Sequence, residues 1–165
     1  LGGTSTTYSA LKYFISSEND NIRVLDVGSG SSDNLIFAKE KFSNIQIISL
    51  DINLRALIYT DESVKRINSD VFHLPVKDAS CDIVHAALFL HHFTEDQIQK
   101  LIKEFLKIGK RGIINNDLQR SFIALIGIKI INKNLILTRN FKFFFCTNLF
   151  LCFFFIALIL LCSCN

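Results

Sequence analysis

The sequence has no methionine, no tryptophan and a single proline among its 165 residues. Because even position 1 is not methionine, we expect the chain to begin inside a longer reading frame or after processing. The opening Leu1–Ser9 segment is polar and glycine-rich, so it lacks the apolar core of a secretory signal peptide.

Runs of like charge and sets of metal ligands are also missing. The 18 basic and 15 acidic residues give a net charge of +3, and the basic residues are scattered, so no nucleic-acid partner is predicted. Four of the five cysteines lie in the last 25 residues. Cys162 and Cys164 have no second ligand pair in range, which excludes a zinc site, and we predict no metal.

The composition changes sharply near Asn140, which divides the chain into residues 1–140 and a hydrophobic tail, 141–165. The tail holds eight of the 16 phenylalanines and one charged residue, Lys142. Residues 143–162 are uncharged and long enough to span a bilayer, which indicates a membrane segment. A frameshift in an AT-rich gene would give the same composition, so a genuine tail and an artefact both stay open.

Within residues 1–140, apolar segments alternate with amphipathic ones. The predicted strands lie at 22–27, 45–50, 64–68, 82–90 and 112–116, and the predicted helices begin near Tyr8, Ser32, Asn53 and Thr94. This alternation predicts an α/β fold with a Rossmann-like parallel sheet and helices on both faces. The predicted sheet stops after its fifth strand, so we expect an exposed edge and poor solubility unless the tail covers it.

A glycine-rich turn follows the first strand, and an acidic residue closes the second. The turn contains Gly28 and Gly30, with Asp26 just before it, and Asp51 comes 21 positions after Gly30. This layout is typical of a nucleotide site at the carboxyl edge of a parallel sheet. The glycines allow close approach of a ligand, and the acidic residue can accept the hydroxyls of a ribose.

The charge at this turn distinguishes between nucleotides. A dinucleotide fingerprint needs a third glycine where this chain has Asp33, and a carboxylate there repels a pyrophosphate. Asp26 likewise favours a cationic ligand. S-adenosylmethionine, which carries a sulfonium and an ammonium group, fits this turn better than NAD.

These residues resemble the first motif, Asp/Glu-x-Gly-x-Gly, of the class I S-adenosylmethionine-dependent methyltransferases. The resemblance extends over about residues 1–140, and the opening Leu1–Thr7 is similar to a bacterial small-molecule subgroup. Ser32 departs from the family, which usually has glycine there; we expect it to fit if its φ is negative. Later segments similar to family motifs are 67–76, 81–93 and 111–121.

The resemblance implies a role for each matching residue. Asp51 would hold the ribose, Asp70 and Val71 the adenine, and the two glycines the methionine part. The implied cofactor-binding residues are Asp26, Gly28, Gly30, Asp51, Ile52, Asp70 and Val71. His91 and His92 are candidate catalytic bases, and Asn116, Asp117 and Arg120 are candidate substrate-orienting residues.

Simpler structural roles exist for the same residues. The glycines also suit an ordinary strand–helix turn, and Asp51, Asp70 and Asp117 also suit caps or turns. The two histidines could cap the strand or pack against the cofactor. We weigh three hypotheses: a cytoplasmic methyltransferase acting on a small-molecule acceptor, a non-catalytic S-adenosylmethionine-binding fragment, and a membrane-anchored protein contacting the bilayer through residues 143–162.

Overall fold

The computed structural model describes residues 2–15, 20–117 and 142–147. Strands and helices alternate along the chain, as the sequence predicts. The helices are α1 (Gly2–Phe14), α2 (Asp33–Lys39), α3 (Leu54–Ile58) and α4 (Glu95–Ile108). The strands are β1 (Ile22–Val27), β2 (Ile45–Asp51), β3 (Lys65–Asn68), β4 (Cys81–Ala87), β5 (Gly109–Asp117) and β6 (Lys142–Thr147). Two 3₁₀ turns lie at Val71–His73 and Leu90–His92.

The sheet is parallel throughout the described residues, in the order β3-β2-β1-β4-β5-β6. The chain leaves β1 towards β2 and β3, then crosses back to β4 and proceeds outward. Strand order therefore reverses between β1 and β4. In open parallel sheets, ligands bind at the carboxyl edge beside such a reversal. The predicted Rossmann-like fold with flanking helices is confirmed.

Each face of the sheet has its own apolar core, because strands covered on both faces bury every side chain. One core contains Leu11 and Phe14 of α1 with Leu35 of α2. The other contains the apolar stripe of α4, including Leu101 and Phe105. Cys81 belongs to the second core, and burial raises the pKa of its thiol. Packing on both faces fixes the strand ends that form the ligand edge.

Helix α4 follows the local signals in its sequence. Thr94 and Gln97 form a reciprocal capping box, in which Thr94 Oγ1 accepts from the Gln97 amide and Gln97 Oε1 accepts from the Thr94 amide. Two acidic residues occupy the first turn, where the helix dipole favours negative charge. The predicted start of this helix is therefore confirmed, and the helix end passes directly into β5.

Several elements differ from the sequence-based prediction, and β5 begins at Gly109, three residues before its predicted start at 112. Helix α1 begins at Gly2, six residues before the predicted start at Tyr8. Strand β4 ends at Ala87 because Leu88 adopts a positive φ of 50°, which breaks the extended backbone. A sixth strand, β6, pairs in parallel with β5, so the edge of β5 that we expected to be exposed is covered.

Part of the predicted tail thus lies in the sheet. The start of the 143–162 stretch belongs to β6, and the remainder, with Cys162 and Cys164, lies outside the described residues, as does Arg120. In the part of the chain that the structure describes, no helix has the length and apolar character needed to span a bilayer.

Candidate functional site

The glycine turn after β1 is tied to the end of β2. Gly28 and Gly30 have φ values of 62° and 53°, a left-handed conformation that glycine adopts without a steric penalty. The Gly30 amide donates to Asp51 Oδ2 at 2.8 Å. The turn and the acidic residue singled out in the sequence therefore form one structural unit.

Two further contacts hold Asp51 in place. Its Oδ1 accepts from the Asn53 amide at 2.8 Å. Asn68 Nδ2 donates to the backbone carbonyls of Asp51 and Ile52, at 3.0 and 2.9 Å, which ties the end of β3 to the end of β2. The carboxylate is thus oriented by two backbone amides, and its oxygens retain further lone pairs for a ligand.

A cavity of about 170 Å³ opens beside this unit. It places apolar side chains around two carboxylates, a composition typical of small-molecule sites. Five of the seven predicted cofactor-binding residues line it, and Gly30 lies at its border through the bond to Asp51. The lining residues are Gly28, Leu50, Asp51, Ile52, Ser69, Asp70, Val71, Phe89 and Phe93.

Asp70 has both of the roles considered for it. Its Oδ1 accepts from the Phe72 amide at 2.9 Å and so caps the 3₁₀ turn, as the simpler interpretation predicts. The same residue lines the cavity beside Val71, which is buried. Its second oxygen, Oδ2, lies 3.5 Å from Nδ1 of the exposed His73, so a ligand would share this oxygen with the imidazole.

Asp26 does not line the cavity. It is 3% exposed, and its Oδ1 lies 2.7 Å from Nδ1 of His85, its cross-strand neighbour on β4. His85 Nε2 lies 3.1 Å from Oγ1 of Thr7 on α1, and all three residues are buried. Asp26 therefore belongs to a buried Thr7–His85–Asp26 chain, and its predicted contact with a cofactor stays a prediction. Asp26 lies two residues after Val24 on β1, so both side chains face the same side of the sheet. Val24 packs towards α1, and the Asp26 carboxylate therefore lies on the α1 side.

His91 and Asp117 meet at the carboxyl edge. His91 Nδ1 lies 2.6 Å from Asp117 Oδ1, and the His91 amide donates to Asp117 Oδ2 at 3.1 Å. Asp117 is fully buried, whereas the His91 side chain is 22% exposed. Both Asp117 oxygens contact His91, so its predicted role in orienting a substrate stays a prediction, and the predicted helix that it would cap lies outside the described residues.

The other predicted catalytic and substrate residues that the structure describes, His92 and Asn116, differ in exposure. His92 is exposed, and its ring packs against that of His91 at a centroid distance of 4.0 Å. Asn116 is buried, and its carbonyl accepts from the Leu88 amide at 2.8 Å. Only His91 among these combines partial exposure with a buried carboxylate partner.

An aromatic wall, formed by Phe72, Phe89 and Phe93, was not anticipated. Phe89 contacts Phe93 edge-on at 5.0 Å, and Phe93 contacts Phe72 at 5.5 Å. The Phe89 ring packs so closely on Gly28 that a Cβ added there would collide with it. Phe89 and Phe93 are four residues apart, as in a helix, but they flank a 3₁₀ turn, so this spacing alone does not reveal the wall.

Ser32 occupies the position where the family usually has glycine, and its φ of 60° is positive. The condition under which we expected serine to fit, a negative φ, is therefore not met. Its buried hydroxyl hydrogen-bonds to that of Ser49 on β2. This contact compensates for the strain, since a left-handed conformation costs a non-glycine residue about 1–2 kcal/mol.

We predict different changes in stability for two replacements of Ser32. Ser32→Gly relieves the strain but loses the hydrogen bond, so the free energy of unfolding changes by less than about 1 kcal/mol. Ser32→Ala keeps the strain and loses the bond, which costs about 1–3 kcal/mol. Urea unfolding followed by circular dichroism measures both, and equal stability of the two variants would contradict this account.

Comparison with protein families finds a match at the same segment. A family model described as "Methyltransferase domain" matches residues 24–112, just over half of the chain. This range runs from β1 through the glycine turn and the cavity to β5. A search of curated proteins finds no match.

Solved structures share the fold at low sequence identity. A putative sarcosine dimethylglycine methyltransferase from Galdieria sulphuraria has a TM-score of 0.58 and 20% identity over 77% of this chain and 52% of that one. The YcgJ protein from Bacillus subtilis has a TM-score of 0.57 and 20% identity, over 69% of this chain and 50% of its own.

A SAM-dependent methyltransferase from Aquifex aeolicus has a TM-score of 0.50 and 20% identity, over 62% of this chain and 57% of its own. The chain therefore spans about half the length of the structures it matches.

Proposed function

This chain belongs to the methyltransferase-domain family, and we propose that it transfers a methyl group from S-adenosylmethionine to a small-molecule acceptor. The family match confirms the resemblance to class I methyltransferases drawn from the glycine turn. One observation carries the proposal: Gly28, Asp51 and Asp70 line a single cavity at the strand-order reversal.

The cavity residues suit the parts of S-adenosylmethionine. Asp51, oriented by the Gly30 and Asn53 amides, would accept the two ribose hydroxyls. Asp70 would accept from the adenine amino group, and Val71 and Ile52 would pack against the base. Gly28 and Gly30 would let the methionine part approach the backbone. When bound, S-adenosylmethionine supplies a methyl group already activated by a sulfonium.

His91 is the proposed proton acceptor. If Nδ1 donates to Asp117, the proton sits on Nδ1 and Nε2 is left as a base. Asp117 orients the ring through two contacts and would stabilise the positive charge that forms when Nε2 takes a proton. An acceptor hydroxyl beside Nε2 would lose its proton to His91 as the oxygen–carbon bond forms.

A small-molecule acceptor is supported by analogy. The Galdieria sulphuraria structure is described as a putative sarcosine dimethylglycine methyltransferase, and the opening segment of this chain resembles a small-molecule subgroup. No basic surface run suggests a polymeric acceptor.

Calorimetric titration of S-adenosylhomocysteine into the full chain tests the cofactor. We expect micromolar binding that Asp51→Ala weakens about 10- to 100-fold, because hydrogen bonds to a charged group contribute about 1.5–3 kcal/mol each. Asp61→Ala, which removes an exposed carboxylate away from the cavity, is the matched control and should change affinity less than twofold.

A folded chain that does not bind, as judged by circular dichroism, would refute the cofactor assignment. Equal affinities of the Asp51→Ala and Asp61→Ala variants would refute the role of Asp51.

A second candidate is a chain that binds S-adenosylmethionine without turnover. Binding in the titration without S-adenosylhomocysteine formation, when S-adenosylmethionine is incubated with a panel of phenols and amines, would identify this candidate.

A further inference from the structure

The ring of Phe89 occupies the space directly over Gly28. No side chain can replace the hydrogen on Gly28 without colliding with this ring. The proposed function places the methionine part of S-adenosylmethionine against the same glycine turn. The ring and the ligand therefore compete for one surface of the backbone.

The cavity is also small for such a ligand while the Phe89 ring lies over Gly28. Its volume is about 170 Å³, whereas sites that bury small molecules usually enclose about 300–1,000 Å³. Phe89, Phe93, Gly28 and Asp51 all line the cavity, and the Phe89 ring covers Gly28 within it. Moving the Phe89 ring away from Gly28 would enlarge the cavity where the ligand must enter.

We propose that Phe89 is a gate residue: its ring closes over Gly28 in the empty protein and swings away when S-adenosylmethionine binds. This inference rests on the proposed function, because it assumes that the cavity is a cofactor site. It differs from a permanent packing role, in which the ring would stay on Gly28 or would form a wall against the bound ligand.

The backbone beside Phe89 is suited to holding a movable side chain. Leu88 precedes it with a φ of 50°, its side chain is 49% exposed, and its amide donates to the Asn116 carbonyl. Leu90 follows it and is fully buried. Both neighbours are thus anchored, and Leu88 holds a conformation that a bulky residue rarely adopts. Strain of this kind is found at switch segments.

The closed position is held by apolar contacts, because Phe89 packs against the core on the α4 side of the sheet as well as against Phe93. Phe89 meets Phe93 edge-on, with an interplanar angle of 69°. Such a contact contributes only modestly and can re-form at another ring angle. Opening therefore requires no break in the hydrogen bonds of the sheet, and binding of the ligand can supply the free energy for it.

Titration of S-adenosylhomocysteine into the full-length Phe89→Ala variant tests the gate. If the ring is open in about a tenth of the molecules, its removal lowers the apparent Kd about tenfold, since affinity falls by the competent fraction. Phe37→Ala removes a half-exposed phenylalanine from α2, away from the cavity, and should leave the Kd within twofold of the unmodified chain.

A second variant reports the motion itself. The chain has no tryptophan, so Phe89→Trp places a single tryptophan at the gate, which can be excited selectively over the three tyrosines. We expect its emission to shift to longer wavelength on addition of S-adenosylhomocysteine, because the indole leaves the Gly28–Phe93 contact for water.

The outcomes separate the two proposals. Binding by the unmodified chain with unchanged or weaker affinity in Phe89→Ala overturns the gate and leaves the cofactor site intact. Binding with no emission change in Phe89→Trp also overturns the gate. A folded chain that fails to bind both as the unmodified protein and as Phe89→Ala overturns the cofactor site and the gate together.

Discussion

Replacement of His85 by alanine is expected to lower the free energy of unfolding by about 1–3 kcal/mol, the usual cost of leaving a buried polar group without its hydrogen-bond partner. Asp26 is 3% exposed, and His85 lies 2.7 Å from its carboxylate. Without the imidazole, this carboxylate stays buried without its partner on β4. The Thr7 hydroxyl on α1 loses its contact with the ring at the same time.

Urea unfolding of the full chain, followed by circular dichroism, measures this loss. Thr7→Val is the matched control, because it removes only the hydroxyl end of the chain and should cost about 1 kcal/mol. The double variant Asp26→Ala/His85→Ala should be less destabilised than the sum of the two single variants. A loss below about 1 kcal/mol for His85→Ala would show that Asp26 does not depend on His85.

Replacement of His91 by alanine is expected to lower kcat about 10²- to 10⁴-fold, the range typical of general acid–base catalysis. The affinity for S-adenosylhomocysteine should not change, because His91 does not line the cavity. Asp117→Asn should lower kcat about 10- to 100-fold, since it weakens a charge-assisted hydrogen bond worth about 1.5–3 kcal/mol. The readout is S-adenosylhomocysteine formation with a panel of simple phenols and catechols.

His92→Ala is the control for this prediction. His92 is adjacent in sequence and exposed, and it contacts His91 through its ring. Its replacement should change kcat less than about fivefold, well below the range for a general base. A larger loss of kcat in His92→Ala than in His91→Ala would show that His92, and not His91, accepts the proton.

Much of the cofactor site could be predicted from the sequence because its signals are local. The apolar runs of β1 and β2, the glycines between β1 and α2, and an aspartate closing β2 place the ligand edge without knowledge of packing. The N-cap Thr94 is equally local, since its partner Gln97 lies three residues away. Such features depend on neighbouring residues, so they can be predicted directly.

The positions that changed all depend on contacts between distant parts of the chain. The conformation of Ser32 is linked to Ser49 on another strand, and the pairing of β6 with β5 joins segments that are far apart in sequence. The periodicity of apolar residues does not indicate which strands pair with each other. The sequence alone therefore could not determine the Ser32 backbone or what covers the edge of β5.

The sequence by itself determined the α/β class, the glycine turn and the acidic residues at the ligand edge. Only the tertiary structure decided what the ionisable side chains do. The register of β1 against β4 pairs Asp26 with His85, 59 residues apart, and the end of β5 brings Asp117 to His91, 26 residues apart. Buried charges require partners, and those partners are set by strand pairing and by the face on which each side chain lies. Asp26 therefore became a buried structural partner, and Asp117 became the partner of the candidate base.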